Sequence, residues 1–189
     1  KLIIATATVA LQEQLIFKDL PEIKRHSGID FSYQLAKGRS RYICLYKLDQ
    51  LIQGYAESPM LSMYPDEVEL PDGEEVQRTY DAMLTAVSDD SWDGDLDAWP
   101  EALDVGVIRS ITTDHSQCLG RRCPHITGCS FFRAREGLEE TDIIVTNHDL
   151  VLADFRLGGG RILSEPEDSY YIFDAVSYTH LTLPTTHDV

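Results

Sequence analysis

Long apolar runs are missing from this 189-residue chain. No stretch approaches the roughly 18–20 residues that a membrane-spanning helix needs, so a helical span is not expected. Positive charge is scarce: 16 Lys and Arg stand against 32 Asp and Glu, a formal net charge of −16. Taken whole, that balance argues against a polyanionic partner. Cysteine is scarce too, with four in the chain, too few for a disulfide-dense secreted scaffold. A phosphate-cradling G-x-x-x-x-G-K-[ST] loop is missing altogether. The opening KLIIATATVAL has one Lys, a short apolar run and no small-residue cleavage motif, so it does not read as a secretory signal. It also lacks an initiating Met and opens inside what reads as a strand, so a fragment is expected.

What is present is ordinary in bulk and uneven in place. Hydrophobic residues make up 43% and charged residues 25%, the composition of a globular domain. Between Glu57 and Asp104 lie 15 acids and one base, Arg78; the remainder holds 17 acids and 15 bases. The acidic stretch reads as a solvated insertion. Lys37, Arg39, Arg41, Arg121, Arg122, Arg133 and Arg135 all fall near cysteines, so whole-chain charge says little about what that region binds.

The hydrophobic pattern alternates strands with helices. Leu2–Thr6 suits a buried parallel strand and leads into a helix with Val9, Leu11, Leu15 and Ile16 as apolar positions. Asp30–Ala36 is a second strand candidate, and Cys44–Gly54 has helical spacing with Gly54 as its cap. Residues 56–104 carry one helix, near Glu74–Val87. After the cysteines come a helix in FFRAREGLEETD, a strand at Ile143–Val145, a turn at Asn147 into a helix, and a strand at Tyr170–Asp174. LGGGR, Leu157–Arg161, reads as a surface turn. The expected fold is α/β with a parallel sheet, the cysteine segment inserted between its second and third strands. The last fifteen residues, 175–189, are Thr-rich, break the pattern and resemble translated adapter or vector sequence, so they are expected to be a non-native tail.

The cysteines are Cys44, Cys118, Cys123 and Cys129, spaced C-x73-C-x4-C-x5-C. Cys44 supplies the fourth thiol that the local trio lacks. Four thiolates suit structural zinc or an iron–sulfur cluster, both of which take soft sulfur ligands. Zinc sites usually pair their cysteines in knuckles on both halves. A single distant cysteine with three local ones favours a cluster, while zinc, assisted by His115 or His125, stays open. Two disulfides would need an oxidising compartment that nothing in the sequence indicates.

IIATATVALQEQL with KDLP, KGRSRYICLYKL, CLGRRCPHITGCSFFRAR, DIIVTNHDLVLAD and YYIFD follow one another in the order and spacing of the DinG family. SWDG, Ser91–Gly94, is similar to part of the same family's insertion. The chain thus resembles, over residues 1–174, these bacterial relatives of the XPD-like iron–sulfur helicases. The resemblance implies an ATP-dependent DNA helicase moving 5′ to 3′ on single-stranded or forked DNA, working as a monomer in the bacterial cytoplasm near the nucleoid, in repair or replication conflicts. It implies a partial RecA-like P-loop motor domain at 1–36 and 141–174, interrupted at 37–140 by a mostly α-helical iron–sulfur domain. That domain carries the acidic insertion, 56–104.

Carried over by position, the resemblance makes Cys44, Cys118, Cys123 and Cys129 ligands of a 4Fe–4S cluster. Thr6, Thr8 and Gln12 fall in a motif facing the DNA path, and Asp174 matches the first acid of the DEAH-type motif, which holds the Mg²⁺ of bound ATP. Thr hydroxyls at a strand end can donate to a phosphate, though Thr6 could instead cap the helix. An acid ending an apolar strand offers Mg²⁺ a hard oxygen ligand. Arg39, Arg41, Arg121 and Arg122 either grip DNA phosphates or offset an anionic four-thiolate centre. Tyr42, Phe131 and Phe132 either stack bases or pack around the centre.

The departures are equally specific. The phosphate cradle is missing, Ala175 stands where the family has a Glu base, and a second motor domain is absent from the sequence. This chain alone is therefore expected not to hydrolyse ATP. The competing reading is a non-catalytic metal-binding module, zinc or iron–sulfur, that engages DNA or a protein partner.

Overall fold

The computed structural model describes residues 1–57 and 73–174. Residues 58–72 of the acidic stretch, Ala175 and the rest of the expected tail lie outside the described residues. In chain order the elements are β1 (Leu2–Thr6), α1 (Val9–Gln14), a π-helical turn (Leu15–Asp19), α2 (Leu20–Ser27), β2 (Tyr33–Leu35), α3 (Leu45–Glu57), α4 (Glu74–Ser88), α5 (Val105–Ile111), α6 (Ser130–Glu139), β3 (Ile143–Asn147), α7 (His148–Arg156) and β4 (Tyr170–Phe173). They form two compact units. Of the described residues, one holds Lys1–Lys37 and Arg135–Asp174; the other holds those between Gly38 and Ala134.

The first unit is built on a parallel sheet of order β2-β3-β1-β4. Its two middle strands are apolar on both faces, as strands covered on each side must be. Ile3, Ala5 and Ile144 pack on one side with Leu138, Val151 and Leu163. Ile4 and Val145 pack on the other with Leu20. Thr8 caps α1, its hydroxyl accepting the Leu11 N–H at 3.3 Å. The buried Thr6 hydroxyl donates to the Thr8 carbonyl at 3.2 Å, so Thr8, and not Thr6, is the cap. β2 is shorter than the pattern suggested. The Ser32 carbonyl still accepts the Ile143 N–H at 3.0 Å, but its N–H and hydroxyl both donate to the Asp142 carboxylate at 2.8 Å, so the backbone ladder stops there.

In this unit the Gly-rich turn is more than a surface feature. Asp154 is fully buried, and its carboxylate accepts the N–H groups of Gly160, Arg161 and Ile162 at 3.0, 2.8 and 2.5 Å. Gly158, Gly159 and Gly160 all have positive φ, which lets consecutive N–H groups turn inward onto one acid.

The second unit is helical. Ile43, Leu48, Tyr80, Met83, Val87, Trp92, Val107 and Ile111 form its core. Four of these come from the acidic stretch, so the reading of 56–104 as a solvated insertion is corrected for its described part. Tyr80, Met83 and Val87 recur at helical spacing and bury one face of α4 while its carboxylates face solvent. Gly54 is corrected as well. α3 runs through it to Glu57, because nothing requires a left-handed residue there.

Gly94, in the turn SWDG, has φ +84°. Its carbonyl accepts the Ile43 N–H at 2.9 Å, and a Cβ placed on it would stand 2.1 Å from Ser130 Oγ. The turn therefore packs directly on the residues following Tyr42 and Cys129.

Candidate metal centre

Tight turns bring the cysteines of the second unit together. Cys118 and Cys123 flank the 3-10 turn Gly120–Arg122, and Cys123 and Cys129 flank the next, Ile126–Gly128. The first spacer is thus its turn preceded by Leu119, and the second its turn preceded by Pro124 and His125. The N–H of Cys123 donates to Gly120 O at 3.0 Å and that of Cys129 to Ile126 O at 3.3 Å. Cys44 is tied in from far upstream: its N–H donates to Ile111 O at 2.7 Å, at the end of α5. Cys44 and Cys129 each stand directly before a helix, accepting at their carbonyls from Leu48 and Arg133.

All four cysteines, none linked to another, line one cavity of about 30 Å³. Among the described residues no three His, Cys, Asp or Glu side chains converge on a point as the ligands of one ion would; the thiols share the cavity wall. Burial pushes the Cys44 thiol up from its ordinary value. The N–H groups of Lys47 and Tyr46 oppose this, and the nearby Cys123 and Cys118 sulfurs add to it. A metal loading here must displace protons, because the thiolate is the ligand.

The wall suits an anionic, sulfur-ligated group. The Arg39 guanidinium donates to Cys118 Sγ at 2.8 Å, and the Gly120 N–H approaches the same sulfur at 3.4 Å. Phe131 and Tyr42 are buried and meet edge to face at 6.0 Å beside the cysteines. With Phe132 they line the four-cysteine cavity. His125 also lines the cavity and lies 3.6 Å from Asp49, whereas His115 is exposed. The other arginines are placed differently. Arg41 forms a two-point contact with Asp97, Arg133 pairs with Asp90 at 3.3 Å, and Arg121 and Arg122 are exposed.

Sequence reasoning missed the Arg39–Cys118 contact, the Asp49–His125 pair and the close approach of Gly94. Only Gly94 left a signal, as a glycine in a Trp- and Asp-rich turn.

In the first unit, a second group of residues gathers at the carboxyl ends of the strands. Thr6 ends β1 opposite Asn147, and the Asp174 N–H donates to Ala5 O at 2.8 Å, which extends the β4 ladder and sets Asp174 level with Thr6. Ligands of parallel sheets bind at this end. Thr8 and Asp174 are exposed, while Thr6 and Gln12 are buried. His148 joins the group unforeseen: it is buried, and its Nε2 lies 3.1 Å from Ala5 O.

No family model matches the chain. Curated relatives do. An ATP-dependent DNA helicase DinG of Photobacterium profundum is 42% identical over 174 residues, 92% of this chain and 24% of that protein. Proteins of the same name from Escherichia coli K12 and Salmonella choleraesuis are each 32% identical over 173 residues, again 92% of this chain and 24% of theirs. The chain thus spans about a quarter of the length of the curated relatives it matches. The likeness read from its motifs holds over nearly the whole chain. Among the described residues no helix is long and apolar enough to cross a membrane.

Proposed function

We propose that this chain is a segment of a DinG-type ATP-dependent DNA helicase, with an iron–sulfur centre in one unit and strand-end motor residues in the other. The observation that carries the reading is the shared cavity. Four thiols, one of them from far upstream, line a wall from which a guanidinium and a backbone N–H are aimed at sulfur. Cys44, Cys118, Cys123 and Cys129 would hold a 4Fe–4S cluster, which would supply a sulfur-ligated, redox-capable crosslink between the Cys44 segment and the local trio.

The rest of the reading follows the family. Asp174 would hold the Mg²⁺ of ATP bound by the parent protein, consistent with an acid at the carboxyl end of a parallel strand. Thr6, Thr8 and Gln12 belong to the motif facing DNA. Of these, Thr8 has an exposed side chain at the strand-to-helix turn, and Thr6 supports that turn from beneath. The parent would move 5′ to 3′ on single-stranded or forked DNA as a monomer in the bacterial cytoplasm.

Exposed Arg121 and Arg122 are the arginines of the cysteine loop best placed for phosphates. Neutralising both, as Arg121→Ala with Arg122→Ala, is expected to weaken binding of a labelled single strand in anisotropy titrations. If each meets one phosphate, the slope of log Kobs against log salt should flatten by about 1.4. An unchanged slope would remove both from the DNA contact.

The chain alone is expected to show no ATP hydrolysis above buffer, with or without single-stranded DNA. Its sequence has no phosphate cradle, and Ala175 follows Asp174 where the family places its base. DNA-stimulated phosphate release from this chain would overturn that expectation.

A further inference from the structure

We propose that Arg39 is a positioning residue for the centre, holding a fixed positive charge against Cys118 so that the reduced form of the bound cluster is favoured. This rests on the iron–sulfur reading above. Arg39 heads the 3-10 turn Arg39–Arg41 and lines the four-cysteine cavity. Its Nη1 lies 2.8 Å from Cys118 Sγ. The guanidinium carbon sits 4.0 Å from the centre of the Phe131 ring and 5.6 Å from that of Phe132. Phe131 is itself held edge-on by the buried Tyr42. One face of the cation is thus covered by an aromatic ring, and one N–H points at a sulfur.

The neighbouring cations are used otherwise. Arg41 pairs with Asp97 and Arg133 with Asp90, so carboxylates offset their charge. Arg39 directs its charge at the thiol. A guanidinium suits this place because it stays charged at any ordinary pH and stacks on rings, where an ammonium is a more strongly hydrated point charge.

Reduction adds one electron to a group that four thiolates already make anionic. The electron comes from an external one-electron donor; no bond forms or breaks, and Arg39 keeps its proton. A cation fixed at hydrogen-bond distance in a cavity walled largely by apolar and aromatic side chains lowers the energy of the more negative state. Hydrogen bonds to cluster sulfurs and local charge are recognised determinants of such potentials. Arg39 should therefore raise the reduction potential, and Phe131 should contribute by keeping the guanidinium in place.

The test is a dye-mediated dithionite titration of the full chain with its reconstituted cluster, followed by electron paramagnetic resonance, with iron and sulfide counted per chain. Arg39→Gln is expected to titrate at a more negative potential than the wild type. Phe131→Leu should shift the same way by less, and Arg39→Lys should fall between Arg39→Gln and the wild type. Full clusters at the wild-type potential in Arg39→Gln and Phe131→Leu, or a positive shift in either, would overturn the proposal. If Arg39→Gln fails to hold a cluster, Phe131→Leu and Arg39→Lys decide by the same criterion. Loss of the cluster from all three would assign Arg39 to assembly rather than potential and would likewise overturn it. A wild-type chain that takes up only zinc would instead refute the iron–sulfur reading, and this proposal with it.

Discussion

Cys44→Ala, purified without oxygen, is expected to come out nearly colourless, with iron and sulfide far below the wild-type content. Outer partners of metal sites already contribute 10–100-fold to affinity, so removing a ligand itself should cost at least about 100-fold. The variant is informative because the fold should survive it. Cys44 is tied in by backbone bonds, its N–H to Ile111 O and its carbonyl to the Leu48 N–H, and Ala keeps both. Burial already raises the pKa of the Cys44 thiol in the metal-free protein, so an Ala methyl there removes no charge that folding relies on. Helix content by circular dichroism in the metal-free form should therefore match the wild type while metal binding collapses. A Cys44→Ala protein with a full cluster would take Cys44 out of the ligand set and leave the local trio without its distant partner.

Gly94→Ala should have the largest effect on stability. The residue sits at φ +84°, where an L side chain is strained. The added Cβ would lie 2.1 Å from Ser130 Oγ, 2.7 Å from Ser130 Cβ and 2.9 Å from Ile43 Cγ2. Ser130 and Ile43 are both buried, and each adjoins a cysteine of the centre, so neither can yield without moving Cys129 or Cys44. Strain and overpacking together should cost about 2–5 kcal/mol. For a unit of this size that lowers Tm by roughly 10 °C or more. Metal uptake should suffer as well. Gly54→Ala is the control of opposite sign. Nothing lies within 4 Å of its added Cβ, and it stands inside α3, so it should be neutral or stabilise by up to about 1 kcal/mol. Melting of Gly94→Ala within about 2 °C of the wild type would show that the turn moves freely away from Ser130.

Where the sequence was legible, one local signal dominated. Leu2–Thr6 is an apolar, partly β-branched run, and the strand found there has those bounds. The four cysteines could be grouped by their chemistry alone, and the fold does gather them in one cavity. β2 was over-extended because the pattern of apolar residues cannot show that a carboxylate, Asp142, captures Ser32 from across the chain. The acidic stretch was misread because charge density masks periodicity. Tyr80, Met83, Val87 and Trp92 are few among many acids, yet they are buried in the core of the second unit. The role of Asp154 carries no sequence signal, because it appears only once three glycines with positive φ turn the N–H groups of Gly160, Arg161 and Ile162 onto its carboxylate. The direction of Arg39 was open in the sequence for a similar reason. Four arginines near thiols are alike in composition, and only packing against Phe131 distinguishes one from the others.

The central claim is that the four cysteines hold an iron–sulfur cluster, and metal analysis of the anaerobically purified chain tests it most directly. The expected result is a brown protein with broad visible absorbance and about four iron and four sulfide per chain, as a 4Fe–4S cluster requires. A colourless protein carrying one zinc per chain, or one that takes up no metal at all, would contradict the account.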